Sequence, residues 1–89
     1  MSRIDIARTA LSLRDYDGAL RLIERYHLDF PDGALAADAD VVAMEAAMAK
    51  GDTAETLERA RIFQARYPND PHTARVRALA ATAGSRTPR

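Results

Sequence analysis

A stretch of 18 residues occurs twice in this chain of 89 residues, and the repeat limits the folds that the chain can adopt. Residues 14–31 read RDYDGALRLIERYHLDFP, and residues 51–68 read GDTAETLERARIFQARYP. A shift of 37 places aligns Asp15 with Asp52, Leu20 with Leu57, Tyr26 with Phe63, Phe30 with Tyr67 and Pro31 with Pro68. Each copy has a polar start, apolar residues at helical spacing and a proline that ends the helix. A repeat of this length predicts helical hairpins stacked side by side.

The apolar spacing predicts five helices and no strand, and polar residues mark where most of the helices begin. Ser2 can cap the first helix, and Asp15 can cap the second. Asp52, with Glu55 three places later, is typical of a capping box for the fourth helix. Asp70, followed by a proline, predicts the start of the fifth.

The third predicted helix and the glycines complete this pattern. Residues 34–50 are rich in alanine and apolar on more than one side, which predicts a central helix with neighbours on both flanks. Gly51 can adopt the left-handed conformation that ends this helix. Gly18 costs the second helix about 1 kcal/mol relative to alanine, so we expect a neighbouring helix to cross closely there. We expect Gly84 to close the fifth helix.

The composition limits the classes of function. Hydrophobic residues make up 47% of the chain, as in a folded globular domain, and the absence of cysteine excludes disulfides and thiolate metal sites. No apolar run approaches the ~20 residues that span a bilayer. Twelve arginines against one lysine indicate a GC-rich bacterial genome. We therefore expect a soluble cytoplasmic or periplasmic domain, or a fragment of a longer exported or membrane-anchored bacterial protein.

Charge is unevenly distributed along the chain. Residues 1–28 carry a net charge of +1, residues 29–58 carry −7 and residues 59–89 carry +6. The acidic middle and the basic end could attract different partners. Alternatively, the charges neutralise each other in the fold or face water.

The repeated residues resemble tetratricopeptide repeats. The resemblance is carried by Asp15-Tyr16, Ala19-Leu20, Tyr26 and Pro31 in the first copy, and by Gly51-Asp52, Leu57, Phe63 and Pro68 in the second. It implies an all-α, right-handed stack of antiparallel helix hairpins, an α-solenoid with five helices. It also implies one domain over residues 1–84, with hairpins over about 3–31 and 34–68, a closing helix over about 71–83, and a disordered tail over 85–89.

The chain departs from the family pattern in four ways. Thr56 stands where the second copy should have a small residue, and the first helix of each pair lacks the usual tryptophan. The 37-residue spacing exceeds the family's usual ~34, and aromatic residues stand at Tyr26 and Phe63 where the family has alanine. The endings Phe-Pro-Asp-Gly and Tyr-Pro-Asn-Asp-Pro resemble the divergent repeats of bacterial envelope and periplasmic proteins.

The resemblance implies a concave groove, lined by the first helix of each pair, that binds a peptide or a partner helix. The residues that correspond to this groove are Ile4, Arg8, Leu11, Ser12, Asp38, Val41, Glu45, Met48, Arg75, Ala78 and Thr82. Leu11, Val41 and Met48 could instead belong to the core. The expected function is that of a non-catalytic protein–protein interaction module, a scaffold within a larger bacterial assembly or regulator. The alternative is a self-association module, in which exposed apolar faces of so short a stack pair with a second copy.

Other functions are less favoured by the residues. Neither His27 nor His72 has a second ligand three or four residues later, although Asp70 is two places from His72, so no metal site is predicted. No phosphate-binding loop or nucleophile motif is present, so we expect neither an enzyme nor a cofactor. The basic end could contact nucleic acid, but the acidic middle would repel phosphate. The basic residues concerned are Arg59, Arg61, Arg66, Arg75 and Arg77.

Overall fold

The computed structural model describes residues 2–85, which form five α-helices and no strand. The helices are α1 (Arg3–Ser12), α2 (Tyr16–Asp29), α3 (Ala36–Lys50), α4 (Thr53–Arg66) and α5 (Thr73–Ser85). The predicted all-α class and the number of helices are confirmed. No helix in this part of the chain is long and apolar enough to cross a membrane.

Helix α3 lies at the centre of the domain and contacts all four other helices. Each helix packs on the next one in the chain, and α3 also contacts α1 and α5. Within residues 2–85, α2 and α4 do not contact each other. Eight residues of α3 are buried, five of them alanine: Ala36, Ala39, Val41, Val42, Ala43, Met44, Ala46 and Ala47. The prediction of a central helix flanked on both sides is confirmed, and small side chains let four neighbours approach it.

The core consists of two clusters, one on each side of α3. The first cluster contains Ile4, Ala7, Ile23, Tyr26, Ala39, Val42 and Ala43. The second contains Val41, Met44, Ala60, Phe63, Val76 and Leu79. Because α3 contributes side chains to both, it connects the packing of α1 and α2 to that of α4 and α5.

The sequence repeat is also present in the backbone where α2 and α4 begin. Arg14 and Gly51, at equivalent positions, both adopt a left-handed conformation with φ of 64° and 88°. The next residues, Asp15 and Asp52, cap the two helices. The carboxylate of each accepts the backbone N–H three residues later at 3.0 Å. Capping by Asp15 and Asp52 and the left-handed Gly51 are confirmed. The capping box expected at Glu55 is wrong, because the Asp52 N–H donates to the Ala47 carbonyl oxygen at 2.9 Å and the Glu55 carboxylate accepts from Arg59.

The same two helices end in the same way. Phe30 and Tyr67 leave them with similar dihedral angles, φ −135° and ψ 71° against φ −128° and ψ 65°. In the following turns, the N–H of Gly33 donates to the Phe30 carbonyl at 3.0 Å, and that of Asp70 donates to the Tyr67 carbonyl at 3.3 Å. The 37-residue repeat therefore extends from side chains to backbone geometry.

Gly18 lies beside the carboxylate that caps its own helix. A Cβ atom there would overlap the side chain of Asp15, whose carboxylate accepts the Gly18 N–H. The close crossing of a neighbouring helix that the sequence suggested at Gly18 stays a prediction. The glycine makes room for the capping carboxylate of its own helix.

Gly84 does not close α5, which continues to Ser85. The hydroxyl of Ser85 donates to the carbonyl oxygen of Thr82 at 2.9 Å, which satisfies one of the last carbonyls of the helix. The helix therefore ends later than the predicted Ala83. Of the predicted disordered tail, residues 86–89 lie outside the described residues.

Candidate binding groove

An open groove of about 380 Å³ lies among α1, α3, α5 and the first residue of α2. It is lined by Leu11, Tyr16, Glu45, Met48, Ala49, Arg75 and Leu79. Four of these residues were predicted from the sequence, namely Leu11, Glu45, Met48 and Arg75. The structure therefore brings together one predicted residue from α1, two from α3 and one from α5.

The groove is mainly apolar at its base. Leu79 is buried and belongs to the second core cluster, so the groove rests directly on the core. Leu11 and Met48 are half-buried and occupy equivalent positions one repeat apart. A partly buried apolar surface of this kind can still exclude water when a ligand side chain covers it.

One ion pair joins two of the helices around the groove. The guanidinium of Arg75 on α5 donates to the carboxylate of Glu45 on α3 at 3.0 Å. Both side chains are accessible to solvent. An exposed pair of this kind contributes only about 0–1 kcal/mol to stability.

Ile4 and Val41 do not lie in the groove. They are 2% and 7% exposed and pack in the first and second core clusters, respectively. Their side chains support the fold, so a partner bound on this surface would not reach them. For Val41, the core alternative that the sequence left open describes the structure.

The remaining predicted residues lie on the same helices but do not line the groove. Arg8 and Ser12 are exposed on α1, and the Ser12 hydroxyl donates to the Arg8 carbonyl at 3.1 Å. Ala78 and Thr82 are exposed on α5. Asp38 is half-buried near the start of α3 and is paired with a histidine.

Tyr16, Ala49 and Leu79 line the groove but were missed by the sequence prediction. The prediction used only family positions on the first helix of each pair, whereas Tyr16 begins a second helix. Leu79 carried a usable signal, because it lies 37 places after Val42 in the first cluster. Its position at the base of the groove depends on how α5 packs on α3, which helical spacing does not specify.

Both histidines connect α3 to a neighbouring segment. The His72 ring lies 2.6 Å from Asp38 through Nε2 and 2.6 Å from Asp70 through Nδ1. His27 Nε2 on α2 lies 2.7 Å from an Asp40 carboxylate oxygen. In the part of the chain that the structure describes, no group of three histidine or acidic side chains could hold a metal ion. Contacts with aspartate carboxylates on α3 account for the positions of both histidines.

Asp70 provides a prediction for acid pH. The backbone N–H of His72 donates to the Asp70 carboxylate at 2.8 Å, and this bond, with a second from the ring, lowers the pKa of that carboxyl. A pKa lower in the folded than in the unfolded chain stabilises the fold above the unfolded value of about 3.9, and this stabilisation is lost as pH falls through the folded pKa. We expect urea unfolding to show that the stability difference between wild type and Asp70→Asn shrinks between pH 5 and pH 2. A difference that grows over this range would contradict the assignment.

Comparison with known proteins does not supply a family for this chain. No protein-family model, curated protein or solved structure gives a significant match. The function of the groove therefore has to be inferred from its residues and from the packing of the helices.

Proposed function

We propose that this chain is a tetratricopeptide-like repeat domain whose groove binds a segment of another protein. The observation that carries the proposal is that α1, α3 and α5 together supply six of the seven residues that line the groove. Under the repeat, these three are the first helices of successive hairpins. Leu11 and Met48 occupy equivalent positions one repeat apart, and both line the groove.

The packing of the helices supports a stack of antiparallel hairpins. Helix α1 packs on α2 and α3 packs on α4, while α3 also contacts α1 and α5. The second helices α2 and α4 do not contact each other within residues 2–85. A stack with its first helices on the inside and its second helices outside has this set of neighbours.

The lining of the groove suits a peptide or helix with an apolar side chain. Met48 is a flexible contact that adapts to ligands of different shape, and Leu79 provides a rigid base. The volume of about 380 Å³ lies at the lower end of the range for ligand pockets. Such a domain acts without catalysis, as a scaffold in a larger bacterial assembly.

The alternative proposal is self-association through α5. One face of this helix is exposed and consists of small residues, Ala74, Ala78 and Ala81. The equivalent residues of α3, one repeat earlier, belong to the second core cluster or pack against it. A second copy covering this face would bury these alanines, as the equivalent residues of α3 are buried or partly buried.

Two matched substitutions test the groove. Ala49 lines it, whereas Ala65 is exposed on α4 outside it, and each is the second-last residue of its helix. Peptides would be selected from a random 12-residue phage library on the wild-type chain, and their affinities measured by fluorescence anisotropy. We expect Ala49→Arg to weaken binding about ten-fold or more, because the new side chain fills the groove, and Ala65→Arg to change it less than about two-fold.

Light scattering over a hundredfold range of concentration separates the two proposals. A constant mass of one chain, with peptide binding that only Ala49→Arg reduces, supports the groove. A concentration-dependent dimer that Ala78→Arg dissociates supports self-association. Peptide binding that is equally strong in Ala49→Arg and Ala65→Arg would overturn the groove proposal.

A further inference from the structure

Two positions of the repeat, on the helices that form the groove, carry charges of opposite sign in successive copies. Arg8 on α1 is equivalent to Glu45 on α3, and Asp38 on α3 is equivalent to Arg75 on α5. Glu45 and Arg75 form an ion pair at 3.0 Å. Arg8 and Asp38 have the charges to form the same pair with the opposite polarity.

That second pair does not form. The carboxylate of Asp38 is instead held by His72, whose Nε2 lies 2.6 Å from it. As a result, no carboxylate in residues 2–85 lies within 4.0 Å of the Arg8 guanidinium. Arg8 is exposed, so its charge faces solvent on α1.

Arg8 lies close to the groove. It precedes Leu11, a groove residue, by three positions, and residues three apart lie on the same face of a helix. Their Cα atoms differ by only about 4.5 Å along the helix axis. The ion pairs Glu45–Arg75 and Asp17–Lys50, which flank the groove, are each neutral. Arg8 therefore adds an uncompensated positive charge to an apolar groove.

We infer that the segment bound in the groove is acidic as well as apolar, an inference that rests on the proposed function of the groove. An apolar side chain of the partner contacts Leu11 and Met48 above the base formed by Leu79, and a neighbouring Asp or Glu of the partner pairs with Arg8. In an extended peptide, alternate residues lie about 6.6–6.8 Å apart. An acidic residue one or two positions from the apolar one therefore reaches the long arginine side chain.

The test uses the peptides selected on the wild-type chain. Each is synthesised with a fluorescein label, as selected and with its acidic residues replaced by the corresponding amides. We expect the selected peptides to combine apolar and acidic residues, and the amide versions to bind about five-fold more weakly, with the difference decreasing as salt is added.

Arg8→Gln and Arg77→Gln form a matched pair of variants. Both arginines are exposed on helices, and no carboxylate in residues 2–85 lies within 4.0 Å of either. Arg8→Gln should bind both forms of each peptide equally well, whereas Arg77→Gln should keep the wild-type preference for the acidic form. Both variants should unfold at the wild-type temperature, because neither side chain is buried.

The outcomes distinguish this inference from the function on which it rests. Suppose that Ala49→Arg weakens peptide binding, but the peptides show no preference for acidic residues or keep that preference in Arg8→Gln. This result would overturn the inference of an acidic partner and leave the groove proposal standing. Peptides that bind the Ala49→Arg and Ala65→Arg variants with equal affinity would overturn both the groove proposal and the inference of an acidic partner. A dimer that Ala49→Arg dissociates would identify a second copy as the occupant and also overturn the inference.

Discussion

We expect Phe63→Ala to lower the free energy of unfolding by about 3–5 kcal/mol. Phe63 is the largest fully buried side chain among the described residues, 2% exposed, and it packs with residues of α3 and α5 in the second core cluster. Truncation removes apolar contacts and leaves a cavity, because the helices around it relax only partly. Since natural domains have only about 5–15 kcal/mol of stability, this loss is a large fraction of the total. Urea unfolding followed by circular dichroism measures the change.

Ile62→Ala is the matched control for this prediction. Ile62 is the preceding residue of the same helix but is 48% exposed, so its truncation leaves no enclosed cavity. We expect a loss below about 1 kcal/mol, as for most exposed positions. Equal losses in the two variants would contradict the position of α4 in the core.

The local features of the fold could be predicted from the sequence. The caps at Asp15 and Asp52 and the left-handed Gly51 are all observed. Each depends on residues that are near neighbours in the chain, because a capping side chain bonds to an N–H two or three residues away. Arg14 shows the limit of such reasoning. It adopts the left-handed conformation usual for glycine, and only the repeat, which aligns it with Gly51, indicates this.

The depth of burial could not be predicted in the same way. Leu20 and Leu57 occupy equivalent positions in the repeat and were both expected in the apolar face. Leu20 is half-buried against the first core cluster, whereas Leu57 is 38% exposed. Helical spacing identifies the apolar face of a helix, but the area covered depends on side chains of the neighbouring helices. Those contacts involve residues far apart in the chain.

The groove could be predicted only in part, because coverage by neighbouring helices again decides which residues are accessible. Leu11 and Met48 line it, while Ile4 and Val41, two helical turns earlier on the same helices, are buried in the core. The family positions identify a face of each helix without showing where the neighbouring helix stops covering it. The charge of Arg8 is another such case, because only the fold shows that Asp38 pairs with His72 and that no carboxylate in residues 2–85 lies within 4.0 Å of the Arg8 guanidinium.

The two repeats satisfy one backbone donor by different means. In the first repeat the N–H of Leu35 donates to the hydroxyl oxygen of Tyr26 at 3.1 Å. In the second, a phenylalanine without a hydroxyl stands at the equivalent position, and the N–H of His72 donates to the Asp70 carboxylate at 2.8 Å. Asp70 is equivalent to Gly33, so the repeat with the hydroxyl has no side chain at this position.

We expect Gly33→Ala to lower the free energy of unfolding by about 1–3 kcal/mol, as overpacking does in other proteins. A Cβ atom at position 33 would overlap the Tyr26 hydroxyl and lie 3.0 Å from Tyr26 Cζ and 3.1 Å from Phe30 Cβ. Tyr26→Phe alone should cost about 1 kcal/mol, because the Leu35 N–H loses its acceptor. In the Tyr26→Phe background, however, Gly33→Ala should cost less than in the wild type, because the closest clash is gone, although the contact with Phe30 remains. Urea unfolding of the four proteins gives the coupling energy directly. An equal cost of Gly33→Ala in both backgrounds would contradict the role of the hydroxyl and leave the contacts with the Tyr26 ring and Phe30 Cβ as the cause.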